Sequence, residues 1–130
     1  MRLTKFIYIA SAYTHKSEDI MVERFLNITQ CIGKLQDKFE YAFFGPITQS
    51  HLTAQFMKKT STKFKDWALI DLTVLSKCDE LWIYMDLQEA YKQSTGVQAE
   101  FTFAISNNIP VRFIHPTTYK VKKMKYLETI

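Results

Sequence analysis

Leu81-Trp82-Ile83-Tyr84-Met85, and after it Ser94-Thr95-Gly96-Val97-Gln98-Ala99-Glu100-Phe101-Thr102-Phe103-Ala104, are the two runs that decide the fold. The first is an apolar run short enough for a buried strand, and in the second Val97, Phe101 and Ala104 recur at helical spacing. A strand therefore feeds a turn that starts a helix. The turn supplies a small hydroxyl residue, Ser94, and a glycine, Gly96, so amide N–H groups at the helix N-terminus can meet an anionic oxygen. Glu100 reads as a first-turn residue, where the helix dipole favours the ionised carboxylate that a nucleophile or electrostatic stabiliser needs. A plain capping role for Glu100 is the alternative, because acidic residues are common in first turns.

Upstream, Thr62 to Lys77 carries a second helical pattern. At about 100° per residue, Phe64, Trp67, Ala68, Val74, Leu75 and Cys78 share one face and Asp66, Thr73, Ser76 and Lys77 the other. Asp71 projects from the middle of the apolar face, which Leu69 and Ile70 widen. Burial without a cation raises a carboxyl pKa, so Asp71 is expected to hold a proton near neutral pH, as a general acid must. The other reading is a buried aspartate that hydrogen-bonds backbone amides.

At the amino end, Lys5-Phe6-Ile7-Tyr8-Ile9-Ala10 reads as a first strand that breaks at Ser11-Ala12-Tyr13-Thr14-His15. Glu18 to Leu35 follows as a helix with Val22, Phe25, Leu26, Thr29, Ile32 and Leu35 on one face. Phe39-Glu40-Tyr41-Ala42-Phe43-Phe44 reads as a second strand stopped by Gly45-Pro46, with a polar loop Thr48-Gln49-Ser50-His51 after it. Asn107-Asn108 ends the Glu100 helix, and Val111-Arg112-Phe113-Ile114 is a last strand closed by His115-Pro116. The remaining tail is amphipathic and charged, with no assigned element.

Strands alternating with helices predict an α/β three-layer sandwich, flavodoxin- or Rossmann-like, with a parallel sheet of four or five strands and helices on both faces. The chain of 130 residues reads as one domain, with a core over about 5–116 and a basic tail at 117–130. Ligands in such sheets bind beyond the carboxyl ends of the strands, which directs attention to the loops at 11–15, 45–51, 86–94 and 115–119.

A hydrophobic share of 47% and an aromatic share of 15% argue for a real core and against disorder. The net charge of +4 owes much to Lys120, Lys122, Lys123 and Lys125, which read as a solvated end, with a phosphate or nucleic-acid contact as the alternative. Cys31 and Cys78 lie far apart without a metal-ligand spacing, His15, His51 and His115 are isolated, and no charged-then-apolar leader or long apolar span precedes the first strand. No metal, no other cofactor, no membrane and no nucleic-acid partner are expected, and the cysteine usage suits a reducing cytoplasm. The aromatic content in so short a chain favours a homo-oligomer.

Two carboxylates in unlike surroundings, Glu100 and Asp71, form the pairing that glycosyl transfer uses. Residues 6 to 115 also resemble the nucleoside 2-deoxyribosyltransferase-like superfamily, most closely a group of small bacterial and phage proteins within it. The resemblance rests on Phe6-Ile7-Tyr8-Ile9-Ala10-Ser11-Ala12-Tyr13, on Trp67 with Asp71-Leu72 and Asp79, and on Ser94-x-Gly96-Val97-x-x-Glu100-x-x-x-Ala104. It implies that Glu100 attacks the anomeric carbon of a nucleoside or nucleotide, that Asp71 protonates or holds the departing base, and that water or another base accepts the sugar. It further implies that Tyr8 orients the glutamate and that Ser11, Tyr13, Trp67, Ser94 and Gly96 belong to the substrate pocket; Tyr8 as ordinary core is the alternative.

Position 94 bears on the substrate. Members of the superfamily that act on free nucleosides tend to carry an acidic residue there, and those that cleave nucleoside 5'-monophosphates tend to carry serine. Ser94 therefore points to a monophosphate, since a hydroxyl and a helix N-terminus donate to a phosphate that a carboxylate would repel. Two departures stand against the pattern. Gln98 replaces a frequent glycine, and Ser11-Ala12-Tyr13-Thr14 lacks the glycine-rich phosphate grip, for which Lys16 or Lys92 are possible substitutes. The resemblance thus implies an N-glycosidase or transferase. A nucleotide-binding module without catalysis and a protein-interaction subunit using the C-terminal lysines are the other readings.

Overall fold

The computed structural model describes residues 3–58, 61 and 63–124. Five strands form one sheet in the order β2-β1-β3-β4-β5: β1 (Phe6–Ala10), β2 (Ala42–Phe44), β3 (Glu80–Tyr84), β4 (Val111–Ile114) and β5 (Val121–Lys123). The first four are parallel, with Tyr8 level with Phe44 on one side and Leu81 on the other. The fifth is antiparallel to β4, a hairpin edge strand built from the tail that the sequence left unassigned. Lys125 and the rest of the tail lie outside the described residues.

The period-2 alternation of each strand sorts the core into two layers. Ile7, Ile9 and Trp82 point to one face, where they pack with Ile28, Cys31, Ile32 and Leu35 of α1 (Glu18–Lys38). Tyr8, Ala10, Leu81 and Ile83 point to the other, against Leu75 of α3 (Phe64–Ser76) and Val97 and Ala104 of α5 (Thr95–Ser106). The protein is thus the expected α/β three-layer sandwich. Both cysteines are buried and form no disulfide among the described residues, and burial pushes the Cys31 thiol up to about 12.

Several local expectations are corrected. The buried stripe of α1 is Ile28, Cys31, Ile32 and Leu35, whereas Val22 and Leu26 are 38% and 56% exposed; the helix rolls so that its second half, not its first, faces the sheet. The loop expected at Thr48–His51 belongs to a helix, α2 (Pro46–Thr53), followed by one 3-10 turn at Ala54–Phe56. Pro46 starts that helix because the first helical N–H has no intrahelical partner to lose and the ring presets φ. Gly45 before it is needed for room: a Cβ there would lie 2.4 Å from the Ile32 Cδ1 atom of α1. The second strand is accordingly shorter than 39–44, and a short helix, α4 (Ala90–Gln93), precedes α5. Leu69 and Ile70 of α3 do not widen the buried face but stand 84% and 48% exposed. The expected first residue of that helix, Thr62, lies outside the described residues. No described helix is long and apolar enough to cross a membrane.

Polar groups also fasten the amino ends of the strands. The Asp79 carboxylate accepts from the Phe6 amide (2.7 Å), while the Asp79 amide donates to the Phe6 carbonyl (2.7 Å), so this residue of the resemblance ties the start of β1 to the start of β3. Glu80, 5% exposed, accepts from Trp82 Nε1 (3.0 Å), Lys5 Nζ (2.9 Å) and Arg112 Nε (2.7 Å). Burial alone would raise the Glu80 carboxyl, but those donors outweigh it and hold it below its ordinary value. A carboxylate lowered by folding stabilises the protein above its unfolded pKa and ceases to do so as pH falls through the folded one. Glu80→Gln should therefore cost about 2 kcal/mol at pH 7. The deficit should shrink when thermal unfolding is repeated near pH 3; a deficit that is equal at both pH values would refute the ionic origin.

Candidate functional site

A parallel sheet with helices on both faces leaves a crevice at the carboxyl ends of the strands where the chain order reverses, here between β1 and β3. The cleft found there is lined by Ser11 and Tyr13 from the loop after β1, Trp67 and Asp71 from α3, and Ser94, Gly96 and Glu100 from the α5 segment. Seven of the eight residues singled out in the sequence thus come together in one cavity. The eighth, Tyr8, lies fully buried beneath it and donates its hydroxyl to the Glu100 carboxyl group.

Strand alternation explains the meeting. Tyr8 is on the face of β1 that α3 and α5 cover, and both acids sit on the inward stripes of those helices. Glu100 is 3% exposed and Asp71 5%. The sequence placed Glu100 in the first turn of its helix; the structure corrects this, because α5 begins at Thr95 and has no acidic residue in its first turn. Its charge is correspondingly not favoured. Burial raises Glu100 to about 8, with a smaller push from the neighbouring Asp71, and the hydrogen bond from Tyr8 only partly offsets them. Asp71 is raised as expected, by burial, to about 6. The sequence reading of an ionised Glu100 beside a protonated Asp71 is therefore reversed in rank: Glu100 is the acid that holds its proton to higher pH. Tyr8 is raised well above its ordinary value by burial and by both acids, so it remains a hydrogen-bond donor throughout.

Two buried polar atoms in the cleft, Asp71 Oδ1 and Ser11 Oγ, have no hydrogen-bond partner among the described residues. Buried polar atoms are ordinarily paired, at a cost of about 1–3 kcal/mol when they are not. Their position on a cavity wall makes them groups that a polar ligand can satisfy. The alternative reading of Asp71, bonded to backbone amides, finds no support at Oδ1.

The rim is set by the helix start. Ser94 is the N-cap of α5, its hydroxyl oxygen accepting from the Val97 amide (3.2 Å). Gly96 lies so close to α3 that a Cβ would stand 3.0 Å from Phe64 Cδ1, so glycine is what lets the two helix starts meet at the cleft. Gln98, the departure from the family pattern, donates to the Lys92 carbonyl (2.6 Å) and ties α5 to α4. Neither Lys16 nor Lys92 lines the cleft, and Lys92 is paired with Glu89 (3.1 Å). Trp67, buried on the wall, donates to the Ser61 carbonyl (2.7 Å), and Ser61 also lines the cleft.

Sequence reasoning missed His51 as a site residue. It comes from α2, its Nδ1 hydrogen-bonds the Tyr13 hydroxyl (2.6 Å), and its ring stacks on Phe25 with centroids 4.1 Å apart. Pro46 would have announced the helix that brings His51 to the cleft. Among the described residues no group of three or more His, Cys, Asp or Glu side chains is placed to hold a metal ion.

Sheet order, crevice and buried acids define a Rossmann-like α/β protein with an acidic cleft at its topological switch point. The chain belongs to the family described as Domain of unknown function (DUF7768), whose model matches residues 5–114. No curated protein matches the sequence.

The raised Glu100 has a measurable consequence. Its unfolded carboxyl ionises near 4.5 but its folded one near 8, so stability present in acid is lost as pH rises through that window. Glu100→Gln removes the loss and should be more stable than the parent at pH 9, by roughly 2–4 kcal/mol, and nearly equal to it at pH 4. A pair of thermal melts decides the matter: a variant no more stable than the parent at pH 9 would show that Glu100 is not held protonated.

Proposed function

We propose that this protein cleaves the N-glycosidic bond of a nucleoside or deoxynucleoside 5'-monophosphate, as an N-glycosidase or deoxyribosyltransferase with Glu100 as nucleophile. The observation that carries the reading is the presence of two buried carboxyl groups, Glu100 and Asp71, on one cleft, one of them bonded by a buried phenol. The resemblance to the nucleoside 2-deoxyribosyltransferase-like superfamily gives the same residues the same parts.

In this reaction a Glu100 oxygen bonds to the anomeric carbon as the carbon–nitrogen bond breaks, and the bonding pair leaves with the base. Asp71 delivers its proton to the base nitrogen or to an atom conjugated with it. Water, or a second base, then attacks the anomeric carbon and gives its proton to Asp71, while the bond from that carbon to the Glu100 oxygen breaks and its pair returns to the carboxylate. Tyr8 keeps the attacking carboxylate oriented and bonded. The Ser94 hydroxyl and the Thr95 and Gly96 amides at the start of α5, which no intrahelical carbonyl can satisfy, receive the 5'-phosphate, the Val97 amide being taken by the Ser94 cap. His51 and Tyr13 flank the space left for sugar and base.

The pH dependence follows from the pair. With folded pKa values near 6 for Asp71 and near 8 for Glu100, the two hold one proton between those limits. The productive arrangement has that proton on Asp71 and the charge on Glu100, a minor share of the singly protonated pair. The rate should therefore be bell-shaped, with limbs near pH 6 and pH 8. Free base released from a panel of nucleoside 5'-monophosphates and nucleosides is the assay. Glu100→Ala should abolish release and Asp71→Asn should lower it by about 10²-fold or more. Near-normal release by the Glu100 variant would sink the assignment.

One observation favours a second reading. A glutamate raised to about 8 by burial is a poor nucleophile at neutral pH, and a nucleotide-binding module that senses without cleaving would tolerate it. Calorimetric nucleotide binding without base release at any pH from 5 to 9 would support that reading. A homo-oligomer belongs to either reading, since Leu69 and Phe56, at 84% and 90% exposure, are apolar surface that a second copy would cover.

A further inference from the structure

A second cavity adjoins the cleft and shares Thr14, Phe64, Ser94 and Gly96 with it. It is the roomier of the two, and its chemistry is opposite. Where the cleft holds Glu100 and Asp71, the adjoining groove is lined by Arg24, Lys63, Lys65 and His15 and by no carboxylate. Among the described residues no ion pair involves Arg24, Lys63 or Lys65. The Arg24 guanidinium is fixed through Nη1, which donates to the carbonyls of Tyr13 (3.3 Å) and Thr14 (3.1 Å), leaving the remainder of its planar fork for another acceptor. Lys63 and Lys65 come from the other wall, at the start of α3. In the cleft that this groove adjoins, the buried Ser11 hydroxyl has no hydrogen-bond partner among the described residues.

We propose that this groove is a subsite for the outer phosphates of a polyphosphate chain, so that the substrate class includes nucleoside 5'-di- and triphosphates as well as monophosphates. The assignment rests on the proposed function for the position of the sugar, but not for the charge. A phosphate at Ser94 and Gly96 occupies the boundary between the cavities, and a second and third phosphate attached to it can extend only toward the cationic side, away from Glu100 and Asp71. Charge-assisted hydrogen bonds from a guanidinium and two ammonium groups favour the di- or trianionic chain over a single phosphate. Lys16 and Lys92, candidates from the sequence, line neither cavity; Arg24, Lys63 and Lys65 stand where they were sought.

The test uses the full chain and base-free probes, so that it does not depend on turnover. Calorimetry should find inorganic tripolyphosphate bound about tenfold or more tighter than inorganic phosphate, the increment expected from one or two charge-assisted hydrogen bonds. The double variant Lys63→Ala/Lys65→Ala should lose that preference while retaining phosphate binding, and Lys65→Glu alone should weaken tripolyphosphate. Equal affinity for the two probes, or a preference that survives the double variant, overturns the subsite. Affinity for a 5'-phosphorylated single-stranded oligonucleotide that grows with its length and exceeds that for tripolyphosphate overturns it in favour of a nucleic-acid strand. The tripolyphosphate preference together with no base release from any nucleotide supports the groove while removing the glycosidase.

Discussion

Tyr8 donates its hydroxyl to Glu100 across the contact between β1 and α5; Tyr8 is fully buried, and Glu100 is buried but for its face on the cleft. That bond constrains much of the molecule. A buried carboxyl group needs a donor, a donor at the centre of the sheet must come from a strand, and the strand must present it on the face that the carboxyl-bearing helix covers. β1 satisfies this by alternation, sending Ile7 and Ile9 toward α1 and Tyr8 toward α5. Asp71, brought in by α3, lies close enough to disturb both groups electrostatically. The proton balance of the cleft is thereby a property of the core packing, and substitutions in the apolar layer that admit water would change it as surely as substitutions of the acids.

The two ends of the sheet treat buried charge in opposite ways. At the amino end Glu80 is surrounded by Trp82, Lys5 and Arg112 and ionises readily. At the carboxyl end Glu100 has one donor, and Asp71 Oδ1 has none among the described residues. The contrast separates a carboxylate that holds strands together from carboxyl groups left under-coordinated where a ligand can reach them.

Much of this was legible because it follows from periodicity. Alternating strand and helix patterns gave the layers, and the position of Asp71 on an apolar helical face gave its burial and the direction of its pKa. What was not legible depended on long-range packing. Glu100 could be assigned to a helix but not to its second turn, since the boundary is set by the Ser94 cap and the short α4 before it, and one turn is the difference between dipole stabilisation and full burial. Val22 and Leu26 looked like core because amphipathicity marks an apolar stripe without saying which end of a long helix the sheet reaches. His51 was hidden by a proline read as a stop when it was a helix start.

The hairpin formed by β4 and β5 gives the lysine-rich tail another role. An edge strand offers unpaired N–H and C=O groups to any other strand in the cell, and natural sheets protect such margins with charged side chains, lysine above all. Lys122 and Lys123 are exposed on β5, the last strand on that side among the described residues. Part of the basic excess is therefore placed where like charge opposes the addition of a further strand, and neutralising those two ammonium groups should lower colloidal stability more than it lowers the stability of the fold.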